Sequence, residues 1–248
     1  MVDSLGHRLK LGVVVPSTNT VVQPEFADMQ PPGVTNHVGR IFIPDAKLST
    51  PADFIAHIER MRAGIDSAME RVMTCQPDYV VNGLSLEAFW DGLDGSMEML
   101  RRLEAKFRTK ISMGNNAILA ALERVGKIRR ISLITPHRPE GDERVRRFFT
   151  QAGYEVADLF SFNVNLPTLI CHTSASALRD AVLKVNAAKP DAIVQVGTGL
   201  PFGKLAGEAW EWLKKPVFAI NTACYWHALR QNKVHDRIEG YGPLLTRY

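Results

Sequence analysis

Eight short apolar runs recur along the chain, and the stretches between them carry their apolar residues at helical spacing. One series is KLGVVVP (10–16), HVGRIFIP (37–44), DYVVNG (78–83) and KISMG (110–114); the other is RISLITP (130–136), YEVADLFSF (154–162), DAIVQVG (191–197) and PVFAIN (216–221). Runs this short, rich in Val and Ile and separated by helices, predict strands of parallel sheets covered on both faces. The clearest intervening helix begins at Thr50. Thr50 suits the N-cap and Pro51 the first helical position, and Phe54, Ile58, Met61, Ile65, Met69 and Val72 then fall on one face before Pro77 ends the pattern.

The two series match in order. PDYVVNGLSL from Pro77 parallels PDAIVQVGTGL from Pro190; VVVPS and LITPH put Pro16 and Pro136 at the ends of corresponding first strands; GNNA at Gly114 and INTA at Ile220 follow the last strands. Matched landmarks in one order argue for an internal duplication. The expected fold is α/β: two similar lobes, each a short parallel sheet flanked by helices and related by a pseudo-twofold, with the active site between them. The lobes are expected at residues 1–114 plus 224–248 and at 115–223. Open parallel sheets place ligands at the carboxyl ends of their strands.

Composition narrows the function classes. The 248 residues are 46% hydrophobic and 23% charged, enough for a large domain or two small lobes. The formal charge of +4 is spread along the chain rather than gathered in basic blocks, so nucleic-acid binding is not indicated. The one local excess, RVRRFF from Arg144, has the spacing of a solvated helix face. Cys75, Cys171 and Cys224 are odd in number and lack C-x-x-C spacing, which points to neither a disulfide framework nor a metal site and fits a reducing compartment. MVDSLGHRLKLGVVV has too short an apolar run for a signal peptide, and no stretch reaches the roughly 20 apolar residues of a membrane span. A cytoplasmic protein without membrane partners is expected, and a homo-oligomer is compatible with the sequence.

Five strand-end loops should converge on the cleft. PSTNT (16–20) offers Ser17, Asn19 and free backbone N–H groups at a helix start; these suit a carboxylate or phosphate, or else simply cap the helix. In NGLSL, Gly83 permits close backbone approach and Ser85 can donate. TPHRPEGD places His137 just past a strand end, titratable near neutrality. GTGL supplies Gly197 and Thr198, and NTAC supplies Asn221. Such small neutral donors suit a carboxylate or an enolate-like oxyanion. There is no serine-triad pattern, Walker loop or G-x-G-x-x-G fingerprint, so a nucleotide cofactor is not expected.

At these loops the sequence resembles the aspartate/glutamate racemase superfamily, in the branch of maleate cis–trans isomerase and arylmalonate decarboxylase. GVVVPSTNTVVQPE is similar to the isomerase opening, whereas NGLSLEAFWDG, VFAINTACYWHALR and the closing GYGPLL are similar to the decarboxylase branch. The resemblance covers nearly the whole chain and implies the duplicated fold, an interlobe site, and neither cofactor nor metal. It also implies a thiol in each lobe for racemases and isomerases and in the second lobe alone for decarboxylases. Those positions fall at Leu84, or Gly83, and at Gly197, none of them cysteine. His137 stands where the decarboxylase branch has a carboxylate-holding tyrosine, and Cys171 where the family has an apolar segment over the substrate.

The expected function is therefore a cofactor-independent decarboxylase or other lyase for a small carboxylic or dicarboxylic acid, acting through an enolate-like intermediate. Ser17, Asn19, Ser85 and Thr198 would bind the carboxylate and developing oxyanion, Leu84, Leu166 and Ile170 would form an apolar wall, and His137 or water would return the proton. The alternatives are cis–trans isomerisation or racemisation by a non-cysteine pair, and non-catalytic carboxylate binding. Cys75 and Cys224 are expected to pack in the core.

Overall fold

The computed structural model describes residues 3–248; Met1 and Val2, at which the first lobe is expected to begin, lie outside the described residues. Each of the eight predicted runs forms a strand: β1 (Leu9–Pro16), β2 (Val34–Ile41), β3 (Tyr79–Asn82), β4 (Ile111–Ser112), β5 (Arg130–Thr135), β6 (Glu155–Ser161), β7 (Ala192–Gln195) and β8 (Val217–Ala219). They make two four-stranded sheets of identical order, β2-β1-β3-β4 and β6-β5-β7-β8. All the pairings are parallel. The shared strand order is what an internal duplication produces.

Nine helices complete the described residues: α1 (Val22–Asp28), α2 (Pro51–Met73), α3 (Gly92–Phe107), α4 (Gly114–Val125), α5 (Pro139–Gln151), α6 (Ala175–Asn186), α7 (Gly203–Leu213), α8 (Ile220–Gln231) and α9 (Pro243–Arg247). Two 3-10 turns, Leu86–Ala88 and Pro167–His172, lie in the loops that follow β3 and β6. β2 starts and stops three residues earlier than its apolar run predicts. Its register with β1 runs from Leu9↔Val34 to Pro16↔Ile41, and past Ile41 no strand is left to pair with. Phe42 is accordingly exposed.

α2 begins as its sequence predicts. Thr50 accepts from the Asp53 N–H at 3.1 Å while the Asp53 carboxylate accepts from the Thr50 N–H at 2.8 Å, a reciprocal capping box. The whole predicted apolar face of α2 is buried, and each of its large side chains contributes roughly 1.5–3 kcal/mol on leaving water. Gly39 of β2 lets the helix lie close, because a Cβ there would sit 3.1 Å from the Ala68 carbonyl. In α5, Val145, Phe148 and Phe149 are buried, so only the arginine side of RVRRFF is a surface; Arg144 lies over the Trp90 ring at 5.0 Å. Phe89, from the loop after β3, meets Phe148 edge-on at 4.7 Å and Phe149 at 5.9 Å, which fixes that loop against the second half of the chain. α8 follows the second sheet yet packs on α4 and against β3 and β4 of the first.

Candidate active site

The carboxyl ends of β1, β3, β5 and β7 open onto one cleft of about 740 Å³, part of it open to solvent. Its wall is formed by Pro16, Thr18, Asn19 and Thr20 after β1, Ser85, Leu86 and Glu87 after β3, Pro136 and His137 after β5, and Gly197, Thr198 and Gly199 after β7. Phe54, His57, Ile58 and Met61 of α2 close one side; Leu48, Val164, Pro167, Ile170 and Cys171 close another. The second of these sides is stitched together from both halves of the chain. The Leu48 N–H donates to the Asn165 carbonyl at 2.7 Å, the Thr168 hydroxyl to Asp45 at 2.8 Å, and Arg138 to the Leu48 carbonyl at 2.9 Å.

Asn19 both holds the helix start and lines the cleft. Its side-chain oxygen accepts from the N–H groups of Val21 and Val22 at 2.9 Å, holding the start of α1, while its amide donates across the cleft to the Thr198 hydroxyl at 3.2 Å. Arg40 braces the loop from behind through the Asn19 carbonyl at 3.0 Å and Gln23 at 2.9 Å. Ser17 does not reach the cleft: its hydroxyl accepts from the Ile43 N–H at 2.9 Å and donates to the Ile43 carbonyl.

After β3, the Gly83 N–H donates to the Val14 carbonyl at 2.7 Å, and a Cβ at Gly83 would meet Val15 at 2.8 Å. Gly83 thus serves strand packing, and Leu84 is buried in the core; neither lines the cleft. Ser85 does line it, and among the described residues its hydroxyl has no hydrogen-bond partner. His137 is buried with Nε2 unpartnered. Burial draws its pKa down to about 3, so near neutrality the imidazole is uncharged and offers a hydrogen bond rather than a positive charge.

At the β7 end, Gly197 has φ +145°, and a Cβ there would lie 2.7 Å from Pro136 Cγ. Its carbonyl accepts from the Gln195 amide at 2.7 Å. Asn221 sits behind this loop rather than in the wall: its amide donates to the Thr198 carbonyl at 3.1 Å and to Glu25 of α1 at 2.7 Å. Glu25 also accepts from the Gly203 N–H at 2.9 Å. Burial raises the Glu25 carboxyl to about pKa 7 against the pull of these two donors.

Three residues at or behind the cleft, His57, Glu87 and Glu25, are absent from the sequence-based expectations, whereas the family resemblance places Cys171 over the substrate. His57 shares the α2 face with Phe54, Ile58 and Met61, a spacing visible in the sequence, and burial lowers its pKa. Glu87 follows Ser85 by two residues and is buried, its pKa raised by burial to about 7. Glu25 lies in the quoted opening motif but acts from behind the wall. Cys171 lines the cleft, half-buried, with its thiol donating to the Thr168 carbonyl at 3.0 Å. Of the apolar wall expected from sequence, Ile170 lines the cleft and Leu166 does not. Cys224 packs in α8, where burial pushes its thiol up to about 12; Cys75 is only half-buried, its thiol donating to the Val72 carbonyl at 3.1 Å. Among the described residues, no three His, Cys, Asp or Glu side chains are grouped to hold a metal ion, and no helix is long and apolar enough to cross a membrane.

The sequence profile of the arylmalonate decarboxylase family matches residues 11–245. No curated protein matches the chain in sequence. Among solved structures, the maleate isomerase of Pseudomonas putida S16 with maleate is 20% identical, covers 96% of this chain and 97% of its own, and superposes with a TM-score of 0.86. A Nocardia farcinica maleate cis–trans isomerase mutant carrying a covalently bound succinylcysteine intermediate is 19% identical, covering 97% and 99%, with a TM-score of 0.84. A liganded double mutant of arylmalonate decarboxylase is 19% identical, covering 97% and 100%, with a TM-score of 0.82. At these identities the likeness establishes the two-sheet fold.

Proposed function

The chain belongs to the arylmalonate decarboxylase family, and on that premise we propose that it is a cofactor-independent enzyme that removes carbon dioxide from a small malonate-type acid through an enolate-like intermediate. The composition of the cleft wall carries this reading. Its polar groups are mostly neutral donors, Thr18, Asn19, Thr20, Ser85, His137 and Thr198; its remainder is largely apolar, with Phe54, Ile58, Met61, Leu86, Val164 and Ile170; and no Lys or Arg belongs to it.

Neutral donors held by the backbone favour charge that develops on the retained carboxylate as the C–C bond breaks. A departing carboxylate set against apolar side chains loses its hydration, and leaves as uncharged carbon dioxide. Asn19, Ser85, Thr198 and the backbone at Gly197 are the proposed binding groups, with the neutral His137 imidazole as a further donor. Ser17 pins the loop after β2, Gly83 and Leu84 pack the loop after β3, and Asn221 holds Thr198 in place. The lobes proposed at 1–114 plus 224–248 and at 115–223 are supported by the packing of α8 against β3 and β4.

The test is incubation of the protein in deuterium oxide with phenylmalonate and, separately, with maleate, with a chelator present and with thermal shift measured for each acid. Release of carbon dioxide and of phenylacetate bearing one α-deuterium is expected. Conversion of maleate to fumarate, or α-proton exchange without carbon dioxide, would replace decarboxylation by isomerisation or racemisation. Thermal stabilisation by dicarboxylates with no turnover would leave a carboxylate-binding protein.

A further inference from the structure

Four titratable side chains line the cleft: His57, Glu87, His137 and Cys171. Burial lowers the pKa of both histidines, which leaves them uncharged near neutrality. The Cys171 thiol is turned onto the Thr168 carbonyl. Glu87 differs from all three. It sits in the Leu86–Ala88 turn, 4% exposed, with the fully buried Ala88 and Phe89 behind it and the cleft in front. Its carboxyl meets backbone N–H groups, its own and that of Ser85, but among the described residues no side chain donates to it or forms an ion pair with it. Arg62, whose charge reaches it, is paired with Asp91 at 2.6 Å.

Backbone N–H groups alone stabilise an ionised carboxyl in this dry wall far less than a paired cation would, so the site does not hold Glu87 as a structural ion pair. Its one opening is towards bound ligand. The turn that carries it is rigid: the Ala88 and Phe89 N–H groups close it through the Ser85 and Leu86 carbonyls at 3.0 Å, and Phe89 is clamped by Phe148 and Phe149.

We propose that Glu87 is the proton-transferring residue of this cleft, exchanging a proton with the carbon next to a bound carboxylate. The inference rests on the carboxylic-acid reading of the cleft. In the decarboxylation direction, the bond between the α-carbon and one carboxylate breaks and carbon dioxide departs. The electron pair passes into the retained carboxylate as an enediolate. The Glu87 carboxylic acid then gives its proton to the α-carbon, forming the C–H bond, and solvent reprotonates Glu87; one proton is consumed overall. Its pKa, raised by burial to about 7, keeps both the acid and the carboxylate populated near neutrality, as such a step requires.

The experiment compares the wild type with Glu87→Gln and Glu87→Asp in two reactions, carbon dioxide release from phenylmalonate and α-deuterium exchange into phenylacetate and succinate. Thermal shift with the same acids confirms that each variant is folded and binds. In whichever reaction the wild type performs, Glu87→Gln is expected to lower the rate by at least about 100-fold with binding retained, and Glu87→Asp to recover part of it. Glu87→Gln within about threefold of wild type in either performed reaction overturns the assignment and leaves the decarboxylase reading standing. Glu87-dependent exchange without carbon dioxide release upholds the assignment and sinks the decarboxylase reading. Wild type that binds these acids and performs neither reaction overturns both.

Discussion

Gly197 combines a backbone that L side chains rarely adopt, φ +145°, with the ring of Pro136 packed where a Cβ would stand. Any substitution must therefore distort the β7 loop or displace Pro136 and, with it, the neighbouring His137. Gly197→Ala should lower stability by about 2 kcal/mol or more in urea unfolding, and Gly197→Cys should do the same. The sequence makes the lack of a thiol here visible. The reason a thiol does not fit this backbone is visible only once Pro136, distant in sequence, is seen beneath it. Glu87 teaches the complementary lesson. Two residues from Ser85 it reads as an ordinary loop glutamate, because burial and the lack of a cationic partner are properties of surroundings that the local sequence does not encode.

Secondary-structure elements are where the sequence was most legible. Apolar runs of strand length give each strand, and the Thr50-Pro51 start gives α2, because strand pleat and helix period impose their own spacing on the chain. Thr50→Ala removes one half of the capping box and should cost about 1 kcal/mol in thermal or urea unfolding, leaving substrate KM unchanged because Thr50 lies outside the cleft wall. Boundaries were less legible. β2 stops at Ile41 because β1 supplies no partner beyond Pro16, which is a pairing fact and not a property of the RIFIP residues themselves. The arginine cluster of α5 likewise shows its charged side in sequence, whereas Val145, Phe148 and Phe149 acquire their role from Phe89.

At the scale of the whole molecule, the two sheets are joined at the cleft by polar contacts as well as by the shared apolar core. Glu25 reaches from α1 to Asn221 and Gly203 beside the second sheet, and Asn19 reaches Thr198. Burial raises the folded-state pKa of Glu25 to about 7 from an ordinary 4.5, so the folded chain holds a proton that the unfolded chain releases between these values. The stability this favours is complete below about pH 4.5 and is lost as pH rises to about 7. Followed by unfolding from pH 5 to pH 8, the stability of the wild type relative to Glu25→Gln should fall by on the order of 3 kcal/mol.

The sequence by itself determined the alternation of strands and helices, the duplication, the loops that meet at the strand ends and the family resemblance they carry. All of these depend on local spacing or on residue identity, which the chain states directly. Tertiary structure alone decided which loop residues face the cleft: Ser85, His137, Gly197 and Thr198 do, whereas Ser17, Gly83, Leu84 and Asn221 stand behind it. It also decided protonation. Desolvation leaves His137 neutral and Glu25 and Glu87 poised near neutrality. That effect is produced by side chains far apart in sequence that close over these groups when the two sheets come together.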